Sequence, residues 1–247
     1  MPLPDLHDAP LLRFWAEHGL LKLKSPLQDL GERLASWLDV RQAIQLRQQL
    51  ESPIEPVKQK VTQEVVDLRA QLDELRVTLQ DAILKDQFAP GFWRNPMPDQ
   101  VLVLPLIWDD LWEPYRRYLM DHQKQMSLLL GRWRRQARSK LLAAGGELQM
   151  LARLDAVYDL ALSAKEARLL ATLPMRMGQL LARRVREHVP SSPDGESTTA
   201  KSVSIPPWLT QFENDLRLSL MAEMELRLQP LWGLVEAFER SEEHTSE

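Results

Sequence analysis

Apolar residues recur in two long stretches of this chain at alternating steps of four and three. The first runs Ile54, Val61, Val65, Leu68, Leu72, Leu75, Leu79, Ala82, and the second Tyr115, Leu119, His122, Met126, Leu129, Trp133. Such spacing keeps one narrow apolar seam on a helix, the pattern of coiled-coil-like packing. The first stretch predicts a long helix from Pro53 to about Phe88, with Ser52 and Glu55 at capping-box spacing. At about 1.5 Å per residue it would reach roughly 50 Å. The prolines and glycine of APGFWRNPMP, Ala89 to Pro98, end it. The second seam predicts a helix from near Asp109 to Ala144, stopped by Gly145-Gly146. Successive helices usually lie side by side, which predicts an antiparallel hairpin with Leu72 near Met126 and Val65 near Trp133. Pairing of each seam with its copy in a homodimer fits the same spacing.

The flanking regions also read as helices. Asp8 and Pro10 start a short one that Gly19 stops. Ser25-Pro26 with Gln28 opens a second, carrying Leu27, Leu30, Leu34, Trp37 and Leu38, and Asp39 caps a third with Ala43, Ile44, Leu46 and Leu50. VLVLPLIW, Val101 to Trp108, is read as an extended apolar connector because Pro105 interrupts it. After Gly146, a helix from Glu147 to Leu162 carries Leu148, Leu151, Leu154, Val157 and Tyr158. Ser163 with Glu166 is expected to start another, bent at Pro174. The serine- and proline-rich segment 190–207 predicts a disordered loop. Trp208 to Leu228 forms a strong helical face, and Pro230 is expected to separate it from a last short helix with Trp232, Leu234, Val235 and Phe238. The expectation is an all-α protein, a helical bundle with a long antiparallel coiled-coil-like helix hairpin. Its expected parts are an N-terminal unit 1–51, the hairpin 52–146 and a C-terminal unit 147–239.

Composition narrows the function classes. The chain has 247 residues, 44% of them hydrophobic, a net charge of -4 and no cysteine, which excludes disulfides, thiolate metal sites and cysteine nucleophiles. No apolar run approaches the roughly 18 residues of a membrane span, and MPLPDLHDAP lacks the basic start and apolar core of a signal peptide. We therefore expect a cytoplasmic protein. The last eight residues, RSEEHTSE at 240–247, are the translation of AGATCGGAAGAGCACACGTCTGAA, the opening of a common sequencing adapter, and are read as an artefact outside the fold.

Candidate chemistry is sparse. The nine glycines form neither GxGxxG nor GxxxxGK[ST]. His7, His18, His122 and His188 lie far apart, without the ExxH spacing of helical di-metal sites. No serine has a GxSxG context. We expect no catalytic residue, no cofactor and no metal. His122 is the one histidine on the second seam and is read as a packed residue that fixes register. Asp109, Asp110 and Glu113 read as acidic residues favoured at a helix start. The contrasting feature is the stretch from Arg116 to Lys140, with eight basic residues and one acidic, Asp121. Placing Leu119, Met126 and Trp133 on the seam puts Arg117, Lys124 and Arg138 opposite, with Arg134 and Arg135 nearby. This stripe is either a solvated face paired with acids of a neighbouring helix, or a surface for an acidic protein, anionic lipid or nucleic acid. Nucleic acid is the weaker of these, since Trp133 falls on the seam and not on an exposed stacking platform.

Three segments carry a resemblance: SPLQDLGERLASWLDVRQAIQL from Ser25, LARLDAVYDLALSAKEARLLATLP from Leu151, and WLTQFENDLRLSLMAEMELRLQPLWGLVEAF from Trp208. In order and spacing the chain resembles an uncharacterised proteobacterial family, domain of unknown function 3348. The resemblance carries over no catalytic residues. It implies a companion of membrane machinery, because similar proteins tend to be encoded beside proton-channel subunits of the TolQ, ExbB and MotA kind and beside OmpA-like peptidoglycan-binding proteins. On that basis the segment from Trp208 to Phe238 is a contact or packing element and Trp208 and Phe212 join the candidate contact residues, while core packing of its apolar face explains the same pattern. The function expected is a non-enzymatic helical adaptor, and the alternative is a nucleic-acid or anionic-surface binder using 116–140.

Overall fold

A computed structural model describes residues 10–19, 44, 47–49, 51–54, 62–87, 96–99, 106–189 and 205–245. They form six extended helical elements: α1 (Pro10–Glu17), α2 (Thr62–Leu84), α3 (Trp108–Ala144), α4 (Gly146–Leu170), α5 (Leu173–His188) and α6 (Pro207–Thr245). Ile44, Arg47 to Gln49 and Glu51 are also helical. No strand occurs among the described residues, and the protein is all-α. No described helix is long and apolar enough to cross a membrane.

Helix ends follow local chemistry at several places. Pro10 opens α1, where its missing N–H costs nothing, and Gly19 at φ +65° closes the turn by donating to the Ala16 carbonyl at 3.0 Å. Gly145 and Gly146, at φ +76° and +56°, adopt left-handed backbone that a Cβ disfavours, and end α3 where expected.

Elsewhere the competition between signals resolves differently. Pro53 and Ile54 are not helical; the Ser52 hydroxyl donates backward to the Gln48 carbonyl at 2.7 Å, so Ser52 ends the preceding turn instead of capping a new helix. Ser163 starts nothing, because α4 continues unbroken to Leu170. The break falls at Ala171-Thr172, and Pro174 sits in the first turn of α5, where no intrahelical N–H is required, instead of bending a helix. Pro230 does not divide the C-terminal segment either. It is exposed within continuous α6, so the carbonyl it leaves without a partner can be hydrated. Most of the connector 89–98, the Ser25 to Asp39 helices and the loop 190–207 up to residue 204 lie outside the described residues; Pro207 opens α6.

The chain divides into two compact units. Described residues of the first come from 10–19, 78–87, 96–99, 106–127, 171–189 and 205–226. Its core includes Trp15, Leu79, Ile83, Tyr115, Leu119, Met177, Leu181, Phe212, Leu216 and Leu220, all buried. The second takes 44, 47–49, 51–54, 62–77, 128–170 and 227–245, with Leu68, Leu72, Leu130, Trp133, Ala137, Leu141, Leu228, Val235 and Phe238 buried. On both seams most described residues therefore lie in core, while Leu75 and Leu129 are half-buried and Ile54 is 48% exposed. The pairing between them that is resolved involves α2 and α3 in the first unit, where Tyr118 donates to the Ile83 carbonyl at 3.3 Å.

Candidate functional site

The basic stretch of α3 is the natural starting point. In its second half Leu130, Trp133, Ala137 and Leu141 are buried, and at 100° per residue Arg134 and Arg138 fall on the flank of that face. The chain reverses at Gly145-Gly146, which brings this flank beside Asp155 and Asp159 of α4. Arg134 Nη2 donates to Asp155 Oδ1 at 2.6 Å and Nη1 to Asp159 Oδ1 at 2.8 Å. Arg138 pairs with both acids too, its Nε 3.1 Å from Asp155 Oδ2 and its Nη2 donating to Asp159. The two arginine side chains are only 14% and 17% exposed. Burial works against the Arg134 charge, but the bonds and charges of Asp155, with Asp159 and Glu166, outweigh it and raise its pKa. Arg134 and Arg138 are therefore not part of an outward stripe. Their charge is cancelled inside the second unit by acids spaced, like them, four residues apart.

The first half of α3 uses its arginines differently. Glu113 accepts from Arg116 Nε at 2.6 Å and from Arg117 Nε at 3.0 Å, pairs along one helix face. The two guanidinium groups hold the Glu113 carboxyl down at about 2. Arg117 and Lys124 are exposed, as is Arg135 in the second half. Of the five basic candidates, three are thus exposed and two are mostly buried.

Trp208 and Phe212 are core residues, not a contact face. Trp208 is 8% exposed and stacks on His188 with ring centroids 5.8 Å apart. Phe212 is wholly buried and meets Tyr115 edge-on at 5.3 Å. Around them the first unit buries several polar groups, most of them hydrogen-bonded, although the Trp15 Nε1, Arg184 Nε and Arg217 Nε atoms are buried without a partner. The Tyr115 hydroxyl donates to Glu213 at 2.7 Å, and Gln123 donates to buried Glu223 at 2.8 Å. Burial pushes the Tyr115 and Tyr118 hydroxyls well above the ordinary tyrosine value. His122 packs with Nδ1 at 2.9 Å from the Tyr118 carbonyl and Nε2 at 3.5 Å from the Ala82 carbonyl, and burial lowers its pKa. It joins α2 to α3, as a register-fixing histidine would.

A groove in the first unit went unnoticed in the sequence. Trp108, Trp112, Arg116, Pro174, Met175, Gly178, Gln179 and Ala182 line an open space of about 470 Å³ along α3 and α5. The two indoles stack at 6.3 Å, and Met175 stands 57% exposed. Gly178 is what lets the helices approach, since a Cβ there would lie 3.2 Å from the Trp112 ring. The available signal was WDDLW: Trp108 and Trp112 are four residues apart, off the seam and on one face. No group of three or more metal-capable side chains occurs among the described residues.

The described residues form an all-helical protein in which Arg134 and Arg138 are matched by Asp155 and Asp159. The chain matches the model of the family described as "Protein of unknown function (DUF3348)" over residues 4–240, and it belongs to that family. No curated protein and no solved structure matches it.

Proposed function

We propose that this protein is a non-enzymatic helical adaptor that acts through protein–protein contacts. The observation that carries this reading is the Trp108–Trp112–Met175 groove: an exposed aromatic and thioether surface of about 470 Å³ on a packed helical scaffold. Tryptophan and methionine are the side chains that supply large contact area and adaptable packing at interfaces. The partner suggested by the family resemblance is the cytoplasmic part of a membrane proton-channel complex of the TolQ, ExbB or MotA kind, with an OmpA-like envelope protein in the same assembly. A homodimer is a second use of the same surface.

The test compares wild type with Met175→Glu and with Trp108→Ser in cross-linked co-purification from native cells, alongside light scattering of the pure proteins. Loss of a specific co-purifying membrane complex, or of dimer mass, in both variants supports the adaptor reading. A set of co-purifying proteins that neither variant changes overturns it. The alternative, a nucleic-acid or anionic-surface binder using 116–140, is weakened by the burial and pairing of Arg134 and Arg138.

A further inference from the structure

With Arg134 and Arg138 cancelled by α4, the rest of this half of α3 presents a different surface. Opposite the buried Leu130, Trp133, Ala137 and Leu141, the helix turns Leu128, Arg132, Arg135, Ser139 and Leu142 outward. These positions advance by steps of four, three, four and three, a second seam on the far side of the helix. Leu128 and Leu142 are 58% and 42% exposed, and Arg135 stands midway, seven residues from each. Arg132 and Arg135 have no carboxylate partner among the described residues, in contrast to their neighbours at 134 and 138. Gly131 lies one turn before Arg135, and a Cβ there would come within 3.6 Å of the Arg135 guanidinium, so the arginine lies over the glycine and not out along its own stem. The result is an apolar, cationic, apolar line about two heptads long, with the Arg135 charge held close to the helix over Gly131.

We propose that this outer face of α3 docks an acidic amphipathic helix of a partner protein, whose leucine-class side chains pack on Leu128 and Leu142 and whose carboxylates meet Arg132 and Arg135. Charge complementarity selects an acidic partner, and the heptad spacing selects a helix over an extended peptide, which would present side chains every second residue. The inference rests on the adaptor reading but uses a different surface from the groove.

The test uses the full chain and a labelled helical peptide of roughly 21 residues, three heptads, with leucine every seventh position and glutamate at the flanking positions. Its counterpart carries lysine for glutamate. Fluorescence anisotropy should show the glutamate peptide binding at least about tenfold more tightly than the lysine peptide, the equivalent of about 1.4 kcal/mol. Arg135→Glu should reverse that preference, and Leu128→Ser with Leu142→Ser should weaken both peptides. Circular dichroism checks that the variants fold; should Arg135→Glu not fold, Arg135→Gln, which should lose the preference without reversing it, takes its place. Equal binding of the two peptides, no binding at low salt, or binding indifferent to residue 135 overturns the proposal. So does a protein that ignores the peptides and binds phosphatidylglycerol vesicles or duplex DNA through the same arginines. Met175→Glu should leave peptide binding unchanged. Failure here with groove-dependent co-purification intact therefore rejects this docking face alone, and the reverse outcome rejects the groove.

Discussion

The two halves of α3 carry the same residue type to opposite ends. In the first half Arg116 and Arg117 share Glu113 on their own helix, 40% and 70% exposed. In the second, Arg134 and Arg138 reach across to Asp155 and Asp159 of α4 and are mostly buried. Nothing in the identity of the side chains differs; the angle between each arginine and the apolar face does. An arginine on the flank of a packed face meets its neighbour helix, and desolvation there makes the pairing obligatory, whereas on the outer face water shares it.

This contrast should break most visibly on the α4 side. Asp155→Ala leaves two guanidinium groups short of a partner in a buried site, and removing one member of such a cluster costs about 3–5 kcal/mol. A urea midpoint that stays within about 0.5 M of wild type, at a slope of roughly 1–3 kcal/mol per molar, would show the lattice to be dispensable. Replacing the four charged residues together with apolar ones of similar volume should recover most of that loss, because a fully apolar interface has no charge to strand.

A smaller effect is expected at His122, which adds pH to the comparison. Burial lowers its pKa, so the folded protein holds the ring neutral while the unfolded chain, near the ordinary 6.5, takes up a proton. The unfolded state then binds more protons, and stability should be complete above about pH 6.5 and fall as the pH drops toward the folded value. The difference in urea midpoint between wild type and His122→Gln, followed from neutral to acidic pH, should shrink as that contribution is lost; a constant difference would reject the assignment.

Gly178→Ala sets a helix-propensity gain of about 1 kcal/mol against the 3.2 Å approach to Trp112. Trp112 borders an open groove and can yield, so stability should change little while the Trp fluorescence shifts; a large loss of stability would mean the ring is fixed. Least of all should follow from Glu113→Gln, whose carboxylate sits at the surface. Its lowered value, about 2, places its contribution above the unfolded range and removes it only as pH falls toward 2. That contribution is present at neutral pH and is lost in the variant, but the arginines are 40% and 70% exposed and water screens the pairs, so the neutral-pH midpoint should fall only slightly; NMR titration of the carboxyl reads the value directly.

Much of the scaffold was legible because it depends on short-range rules. The 4–3 spacing correctly marked Leu68, Leu72, Leu79 and Ala82, and Tyr115, Leu119, His122, Met126 and Trp133, as buried, but Leu75 and Leu129 on the same seams are half-buried and Ile54 is exposed. Gly145-Gly146 was a sound stop because only a residue without a Cβ takes that backbone cheaply. Ser52, Ser163 and Pro230 misled because a capping side chain or a proline permits a boundary without requiring one. Packing along the rest of the helix decides, as α4 running through Ser163 and α6 through Pro230 show.

The candidate surface was less legible. Arg134 and Arg138 at a four-residue step were matched by Asp155 and Asp159 at the same step, yet each pair is also ordinary for a solvated helix. By itself the sequence determined the all-helical class, most of the buried positions on the two seams and the excess of positive charge on α3, all set by periodicity and backbone chemistry within a few residues. Only the tertiary structure decided which arginines are cancelled, that Trp208 and Phe212 are core, and that Trp108, Trp112 and Met175 meet in a groove. Those outcomes depend on which helix face lies against which, a choice made by burial and charge pairing between residues far apart in the chain.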